Sequence, residues 1–145
     1  MFNELVGSVI KNIRINSRYL VFEVEDRDPI VFEAYGDCCS TSEFYDFIGV
    51  ENLIGNKILK VEDLDLSILD TNIQPDWDEG SIEHYGYRFT AFSEEYDEVS
   101  AVVSFRNISN GYYGGELQPA SLTPEEINEV PIIKESTLEV SIAKS

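Results

Sequence analysis

The clearest indication of the architecture comes from residues 82–117, which read IEHYGYRFTAFSEEYDEVSAVVSFRNISNGYYGGEL. Every second residue from Val99 to Phe105 is hydrophobic, and mostly polar residues lie between them. This period of two is typical of a β-strand with one buried face. We therefore predict two long strands, 82–92 and 99–108, joined by the acidic turn 94–98.

A tighter turn is predicted at Ser109-Asn110-Gly111. Asn-Gly favours a two-residue hairpin loop because both residues tolerate positive φ angles. We expect this turn to join strand 99–108 to a partner strand at Tyr112–Leu117. These two segments should then be neighbours in one sheet.

The residues before this stretch predict further short strands. Segments 8–15, 19–25 and 30–35 are rich in aromatic and β-branched residues and are separated by turn-forming residues. They predict a meander of local hairpins, and Ile58–Val61 predicts a further strand before a long acidic connection.

Two or three short helices complete the predicted fold. The first is a helical turn at Phe2–Val6, and the second is capped within Ser40–Ser42 and carries Phe44–Ile48. The third begins at Thr123, whose hydroxyl can cap the helix, with Pro124 in the first position. The predicted class is mainly β (α+β), an antiparallel sheet or meander with short helices.

We predict a single domain over residues 1–145, because no long Gly/Ser-rich linker divides the chain. Its core should span about residues 5–118, and residues 119–145 should form a C-terminal helix, strand or tail. The segments LVGSVI (5–10) and LIGNKI (53–58) echo each other. We interpret so short an echo as recurrent local chemistry rather than as a duplicated domain.

The charge excludes several partners. Asp and Glu total 28 against 10 Lys and Arg, a net charge of −18. Direct binding to nucleic acid or to an anionic membrane needs cations on the protein, so neither is expected. Between Val61 and Glu98 there are twelve acids and one cation, Arg88.

This acidic region suggests a nucleic-acid mimic that occludes a basic host protein. The acids that would form this surface are Asp63, Asp65, Asp76, Asp78, Glu79, Glu94, Glu95, Asp97 and Glu98.

Cysteine and histidine usage favours a binding protein over an enzyme. Cys38 and Cys39 are adjacent and His84 is the only histidine, so no usual zinc spacing is present. We expect two free, partly buried structural thiols, no catalytic residues, no metal and no cofactor. The N-terminus has no secretory pattern, which favours the cytoplasm, or the host cytoplasm if the chain is phage-encoded.

Three motifs resemble a known family: GDCCS (36–40), ENLIG (51–55) and SNGYY (109–113). Their order and spacing resemble the DUF7448-type proteins, small bacterial and phage proteins of uncharacterised function, over about residues 5–118. The chain departs from that pattern in its aromatic strand, which has no Trp, and at Gly114, where Ser is expected. The pattern is also similar to phage proteins that defeat Thoeris defence by sequestering a cyclic ADP-ribose-like signal.

That second resemblance implies a pocket for a nucleotide-derived small molecule. Arginines would contact its phosphate, tyrosines would stack on its base, and an amide would bind its edge. The residues we expect in these roles are Arg88, Arg106, Asn110, Tyr112, Tyr113 and Tyr85. The alternatives are a basic host defence protein as partner, or a structural protein with no defence role; a homo-oligomer is compatible with each.

Overall fold

Nine β-strands, one α-helix and one short 3₁₀ helix (Val50–Asn52) make up the part of the chain that the computed structural model describes, residues 2–36, 41–65, 81–109 and 115–137. In chain order the strands and the α-helix are β1 (Ile10–Ile15), β2 (Tyr19–Val24), β3 (Ile30–Gly36), β4 (Thr41–Ile48), β5 (Lys57–Asp65), β6 (Ser81–Ser93), β7 (Asp97–Ser109), β8 (Gly115–Ala120), α1 (Pro124–Glu129) and β9 (Ile132–Ile133). The predicted class is confirmed, because the chain is mainly β and its sheets are antiparallel.

The helix predicted at Thr123 is present as α1. The Thr123 hydroxyl accepts a hydrogen bond from the Glu126 amide at 3.2 Å, and the Glu126 carboxylate accepts one from the Thr123 amide at 2.9 Å. This reciprocal capping box, with Pro124 at the start, explains where the helix begins. Ile127 of α1 covers Val21 and Val31.

The other predicted helices are not found among the described residues. Phe2–Val6 forms a hydrogen-bonded turn rather than a helix, with the Leu5 amide donating to the Phe2 carbonyl at 3.0 Å. The prediction of a helix carrying Phe44–Ile48 is wrong, because these residues belong to strand β4. A bulge between Phe44 and Asp46 sets the buried Phe44 and Phe47 three residues apart, which is a helical spacing.

The strands form two antiparallel sheets. Sheet 1 has the order β8-β3-β2-β1-β9, and sheet 2 has the order β4-β7-β6-β5. The predicted meander of β1, β2 and β3 is confirmed, as is the pairing of the long strands β6 and β7.

The predicted hairpin between residues 99–108 and 112–117 is wrong. Strand β7 has partners on both edges, since Arg106 lies opposite His84 of β6 and opposite Glu43 of β4. No edge of β7 is left for β8, which pairs with β3 in sheet 1 and places Gly115 opposite Gly36. Asn110 and Gly111 lie outside the described residues.

The two sheets exchange their fourth strands. Strands β1–β3 form a meander in sheet 1, but β4 crosses to pair with β7 in sheet 2. Strands β5–β7 form a meander in sheet 2, but β8 crosses to pair with β3 in sheet 1. The pairing of β5–β8 therefore repeats the pairing of β1–β4, with the two sheets exchanged. Only β9 has no counterpart among the described strands.

The two echo segments lie beside each other and bond reciprocally. The Gly7 amide donates to the Ile58 carbonyl at 2.8 Å, and the Gly55 amide donates to the Ile10 carbonyl at 2.7 Å. Both glycines have positive φ, 89° and 82°, a conformation that glycine adopts without steric cost. Ser8 follows Gly7 and bonds the Glu4 carbonyl through its hydroxyl at 3.0 Å.

The same correspondence continues beyond the glycines. Asn56 follows Gly55 and donates its side-chain amide to the Asn52 carbonyl at 2.8 Å, as Ser8 does in the first segment. The register shift between Ile10 and Asn12 in β1 recurs between Ile58 and Lys60 in β5, 48 residues later. The echo is therefore part of a repeated four-strand arrangement, and its interpretation as recurrent local chemistry alone is wrong.

The hydrophobic core lies between the two sheets. Sheet 1 contributes Phe22 and Phe32, and sheet 2 contributes Phe47, Phe89 and Phe105, each at most 1% exposed. The rings of Phe22 and Phe89 meet with centroids 5.3 Å apart. They occupy corresponding positions, because Phe22 pairs with Ile13 and Phe89 pairs with Val61, which lies 48 residues after Ile13.

Candidate functional site

Two predicted site arginines share the outer face of sheet 2, which is the face turned away from the core. Arg88 and Arg106 are next to the buried Phe89 and Phe105 in their strands, and neighbouring side chains of a strand point to opposite faces. Arg88 pairs with Val102, four residues before Arg106 on β7. The two arginines are thus about 14 Å apart along the strand direction.

Arg106 is buried and ion-paired. Its Nε and Nη2 lie 2.8 and 2.7 Å from the same carboxylate oxygen of Glu43, and its Cζ stands 5.4 Å from the centre of the Tyr45 ring. Only 10% of the side chain is exposed. This arrangement fixes the guanidinium and neutralises much of its charge, so Arg106 is held as part of the sheet.

Arg88 differs from Arg106 because it is exposed and has no ion pair among the residues that the structure describes. It lines a shallow polar groove of about 390 Å³, together with Lys60, Glu62, Thr90 and Glu98. Lys60 Nζ lies 3.7 Å from Glu62 Oε1, so these two charges offset each other. Arg88 is thus exposed in this groove, with Glu62 directly opposite it in the β5–β6 pair and Glu98 in the same lining.

Tyr85 lies on the other face of the sheet. Its ring stacks on Phe105 with centroids 5.0 Å apart and an interplanar angle of 18°, and it packs against the core. The structure thus brings Arg88 and Arg106 to one face but does not bring Tyr85 to them. Asn110, Tyr112 and Tyr113 lie outside the described residues.

The two motif segments GDCCS and SNGYY leave the sheets at one end of the molecule. Gly36 and Gly115 are paired at the ends of β3 and β8, and Thr41 and Ile108 are paired where β4 meets β7. Both segments are therefore crossovers between the sheets, at corresponding places in the repeated arrangement. Cys38 and Cys39 fall outside the described residues.

The described residues of the predicted acidic surface lie in two groups, one toward each end of sheet 2. Glu94, Glu95, Asp97 and Glu98 are exposed in or beside the turn between β6 and β7, around Tyr96, which is 67% exposed. Asp63 is exposed toward the opposite end of β5, and Asp65 is the last residue of that strand. The positions of Asp76, Asp78 and Glu79 lie outside the described residues.

Sequence reasoning missed Glu43 and Tyr45, the partners of Arg106. Both lie on β4, which was predicted to be helical, so their position beside β7 could not be inferred. It also missed a partner of the buried Asn107, since the Ser42 hydroxyl donates to Asn107 Oδ1 at 2.8 Å.

Within residues 2–36, 41–65, 81–109 and 115–137, no three His, Cys, Asp or Glu side chains are grouped to hold a metal ion. No helix in the same ranges has the length and apolar character needed to cross a membrane.

Tyr87 precedes Arg88 on β6, and the pKa of its hydroxyl group provides a test of its surroundings. Burial and the carboxylates of Asp63 and Glu116 raise the pKa of Tyr87 to about 12, whereas an unfolded tyrosine ionises near pH ~10. Between these values the unfolded chain holds fewer protons than the native protein, so stability falls as the pH rises. Because Tyr87 is half-buried, we expect a loss on the order of 1 kcal/mol.

The measurement is urea unfolding at pH 9 and near pH 12 for the wild type and for Tyr87→Phe. Phenylalanine cannot ionise, so the loss of stability over this interval should be smaller in the variant. An equal loss in both proteins would show that Tyr87 does not carry it.

Comparisons with known proteins give one family model and one viral relative that are similar to this chain. A family model described as a domain of unknown function, DUF7448, matches residues 3–118. An uncharacterised protein of Acanthamoeba polyphaga mimivirus is 32% identical over 120 residues, covering 78% of this chain and 87% of that protein. No solved structure matches the chain.

Proposed function

We propose that this chain, which belongs to the DUF7448 family, is a non-enzymatic binding protein of viral or mobile-element type that sequesters a nucleotide-derived signal of host defence. The giant-virus relative supports the viral part of this proposal, since it is similar over most of both chains. The observation that carries the binding part is the exposed Arg88 on the outer face of sheet 2.

Arg88 has the properties that a phosphate contact requires. It projects from the middle of a 13-residue strand that is paired on both sides, so its backbone is already ordered before a ligand arrives. A rigid scaffold reduces the entropy lost on binding. A guanidinium can also donate two parallel hydrogen bonds to a phosphate, which a lysine cannot do.

The surrounding charges favour a small ligand over a polyanion. Glu62 and Glu98 border the groove beside Lys60 and Arg88, and the whole chain carries −18. A long nucleic acid would meet repulsion from the acids along its whole length, whereas a compact phosphate-bearing ligand at Arg88 would meet only the nearby Glu62 and Glu98. Screening limits the repulsion to about 8 Å at physiological salt.

The base-stacking part of the proposal rests on Tyr112, Tyr113 and Asn110, from the motif SNGYY. Aromatic rings bind nucleobases without strict sequence preference. Ser109, which precedes these residues, lies about 24 Å along β7 from Val102, the partner of Arg88, so only an extended ligand could contact both. Arg106 would act indirectly, because Glu43 already holds its guanidinium. Tyr85 is left out because it is stacked on Phe105 on the other face.

Replacing Arg88 by Ala is expected to weaken ligand binding at least tenfold, about 1.4 kcal/mol, because the charged contact to the phosphate is lost. The measurement is calorimetry and thermal shift with cyclic ADP-ribose and cyclic dinucleotides. A bound ligand should raise the melting temperature of the wild type by mass action.

The matched control for this experiment is Glu95→Ala, which changes an exposed charge on the β6–β7 turn. It should leave nucleotide affinity unchanged. If no nucleotide shifts the wild type, or if Arg88→Ala binds as tightly as the wild type, this proposal is wrong.

A second candidate function is an acidic inhibitor of a basic host defence protein. It is favoured by the β6–β7 turn, where Glu94, Glu95, Asp97 and Glu98 surround the exposed Tyr96. Tyrosine is one of the residues enriched among binding hot spots. Under this alternative, nucleotides have no effect, and binding to the basic partner weakens steeply with added salt.

A further inference from the structure

One edge of sheet 2 is open in the part of the chain that the structure describes. Strand β5 pairs with β6 along Lys57–Asp65, and residues 7–9 cover its other edge at Lys57 and Ile58. From Leu59 onward, no described strand pairs with that edge. Leu59 is 37% exposed, and the Lys60 side chain is 58% exposed. An open edge presents unpaired backbone donors and acceptors, to which another strand can add.

The corresponding edge of sheet 1 shows how such a strand is accommodated. There β9 adds to β1, placing Ile133 opposite Ile13 and Ile132 opposite Arg14. The residues 48 positions later in β5 are Val61 and Glu62, since β1 and β5 share the same bulge and turn. Strand β9 therefore covers this edge of β1 in sheet 1, whereas no described strand covers the corresponding edge of β5 in sheet 2.

The sequence of this edge is complementary to itself. Lys60 and Glu62 flank Val61 and lie on one face of β5, because alternate residues of a strand share a face. If two copies of β5 pair antiparallel about Val61, Lys60 of each copy lies directly opposite Glu62 of the other. Opposite charges at directly opposed positions stabilise a strand pair.

Neighbouring registers are disfavoured by the same charges. A pair centred on Lys60 places two ammonium groups opposite each other, and one centred on Glu62 places two carboxylates opposite each other. Like charges in these positions are destabilising. The charges therefore favour pairing of two β5 strands about Val61 over pairing about Lys60 or Glu62.

We propose that two copies of this protein associate through their β5 strands, antiparallel about Val61, and join the two copies of sheet 2 into one continuous sheet. The contact is isologous, so it closes as a two-fold dimer and does not propagate into a fibre. The groove containing Arg88 lies one strand from this contact, so the dimer would present two such grooves on one continuous sheet.

The test is sedimentation equilibrium of the full-length protein at about 0.15 M NaCl, where repulsion between distant acids is screened. The wild type should show a monomer–dimer equilibrium. Lys60→Glu should weaken the dimer at least tenfold, because it places glutamates opposite each other. Lys60→Glu combined with Glu62→Lys should restore it, because the charges are exchanged and remain complementary.

The matched control is Lys11→Glu, an identical charge reversal at an exposed position of β1. It should leave the equilibrium unchanged. A wild type that is monomeric at the highest soluble concentration overturns the proposal, as does a dimer that Lys60→Glu does not weaken.

A second measurement needs no variant. Hydrogen exchange of the wild type at high and low concentration should show amides near Val61 losing protection on dilution, because the added strand dissociates. Concentration-dependent protection confined to another strand would overturn the proposed contact, whatever the behaviour of the charge variants.

Discussion

Replacing Phe89 by Ala is expected to lower the free energy of unfolding by about 3–5 kcal/mol, the range for truncating a buried phenylalanine. The Phe89 side chain is fully buried, and its ring contacts those of Phe2, Phe22 and Phe47 at centroid distances of 5.7, 5.3 and 5.8 Å. It therefore joins the two sheets, and a cavity there removes contacts from both. Guanidinium unfolding followed by circular dichroism measures the change.

Phe92→Ala is the control on the same strand, because Phe92 is 46% exposed and its truncation leaves no enclosed cavity. Its cost should stay below about 1 kcal/mol. Phe22→Ala should cost about as much as Phe89→Ala, since the two rings occupy corresponding positions. Equal losses in the free energy of unfolding for Phe89→Ala and Phe92→Ala would contradict the placement of the core between the sheets.

Local patterns were sufficient to predict the strands that pair with their sequence neighbours. The alternation in residues 99–105 and the acidic turn after Phe92 predicted β6 and β7, and their pairing is observed. The capping residues at Thr123 predicted α1 for the same reason. In each case the interactions that fix the structure lie within a few residues of one another.

The crossing strands could not be predicted from local patterns. The bulge in β4 interrupts its alternation and leaves Phe44 and Phe47 at a helical spacing. Strand β8 follows an Asn-Gly turn that favours a hairpin with β7, yet β4 occupies that edge. Which strand fills an edge depends on residues more than 60 positions apart, such as Glu43 and Arg106.

The candidate site was predictable only in its residue types. Arg88 and Arg106 were chosen because they are fixed on strands in an acidic protein, and the structure places both on one face of sheet 2. Their different surroundings depend on β4, which brings Glu43 to Arg106 and not to Arg88. Composition shows that cations are scarce, but only the strand order shows which cation is neutralised.

Replacing Glu43 by Gln is expected to lower the free energy of unfolding by about 1.5–3 kcal/mol, the range for a hydrogen bond to a charged group. The substitution keeps the shape of the side chain but removes the charge that neutralises Arg106, whose side chain is only 10% exposed. A buried charge whose carboxylate partner is neutralised loses attraction that offsets the cost of its desolvation. Thermal and urea unfolding at neutral pH measure the loss.

The control is Glu33→Gln, which removes the carboxylate from a second cross-strand arginine pair. Arg18 bonds Glu33 and also stands over a tyrosine ring, that of Tyr19, but its side chain is 66% exposed. Water can therefore solvate Arg18 when its partner is lost, and the cost should be below about 1 kcal/mol. Replacing Glu43 and Arg106 together by Leu should recover most of the loss, because both members of this ion pair are then removed. A Glu43→Gln protein as stable as Glu33→Gln would show that the Glu43 carboxylate does not contribute the expected stability.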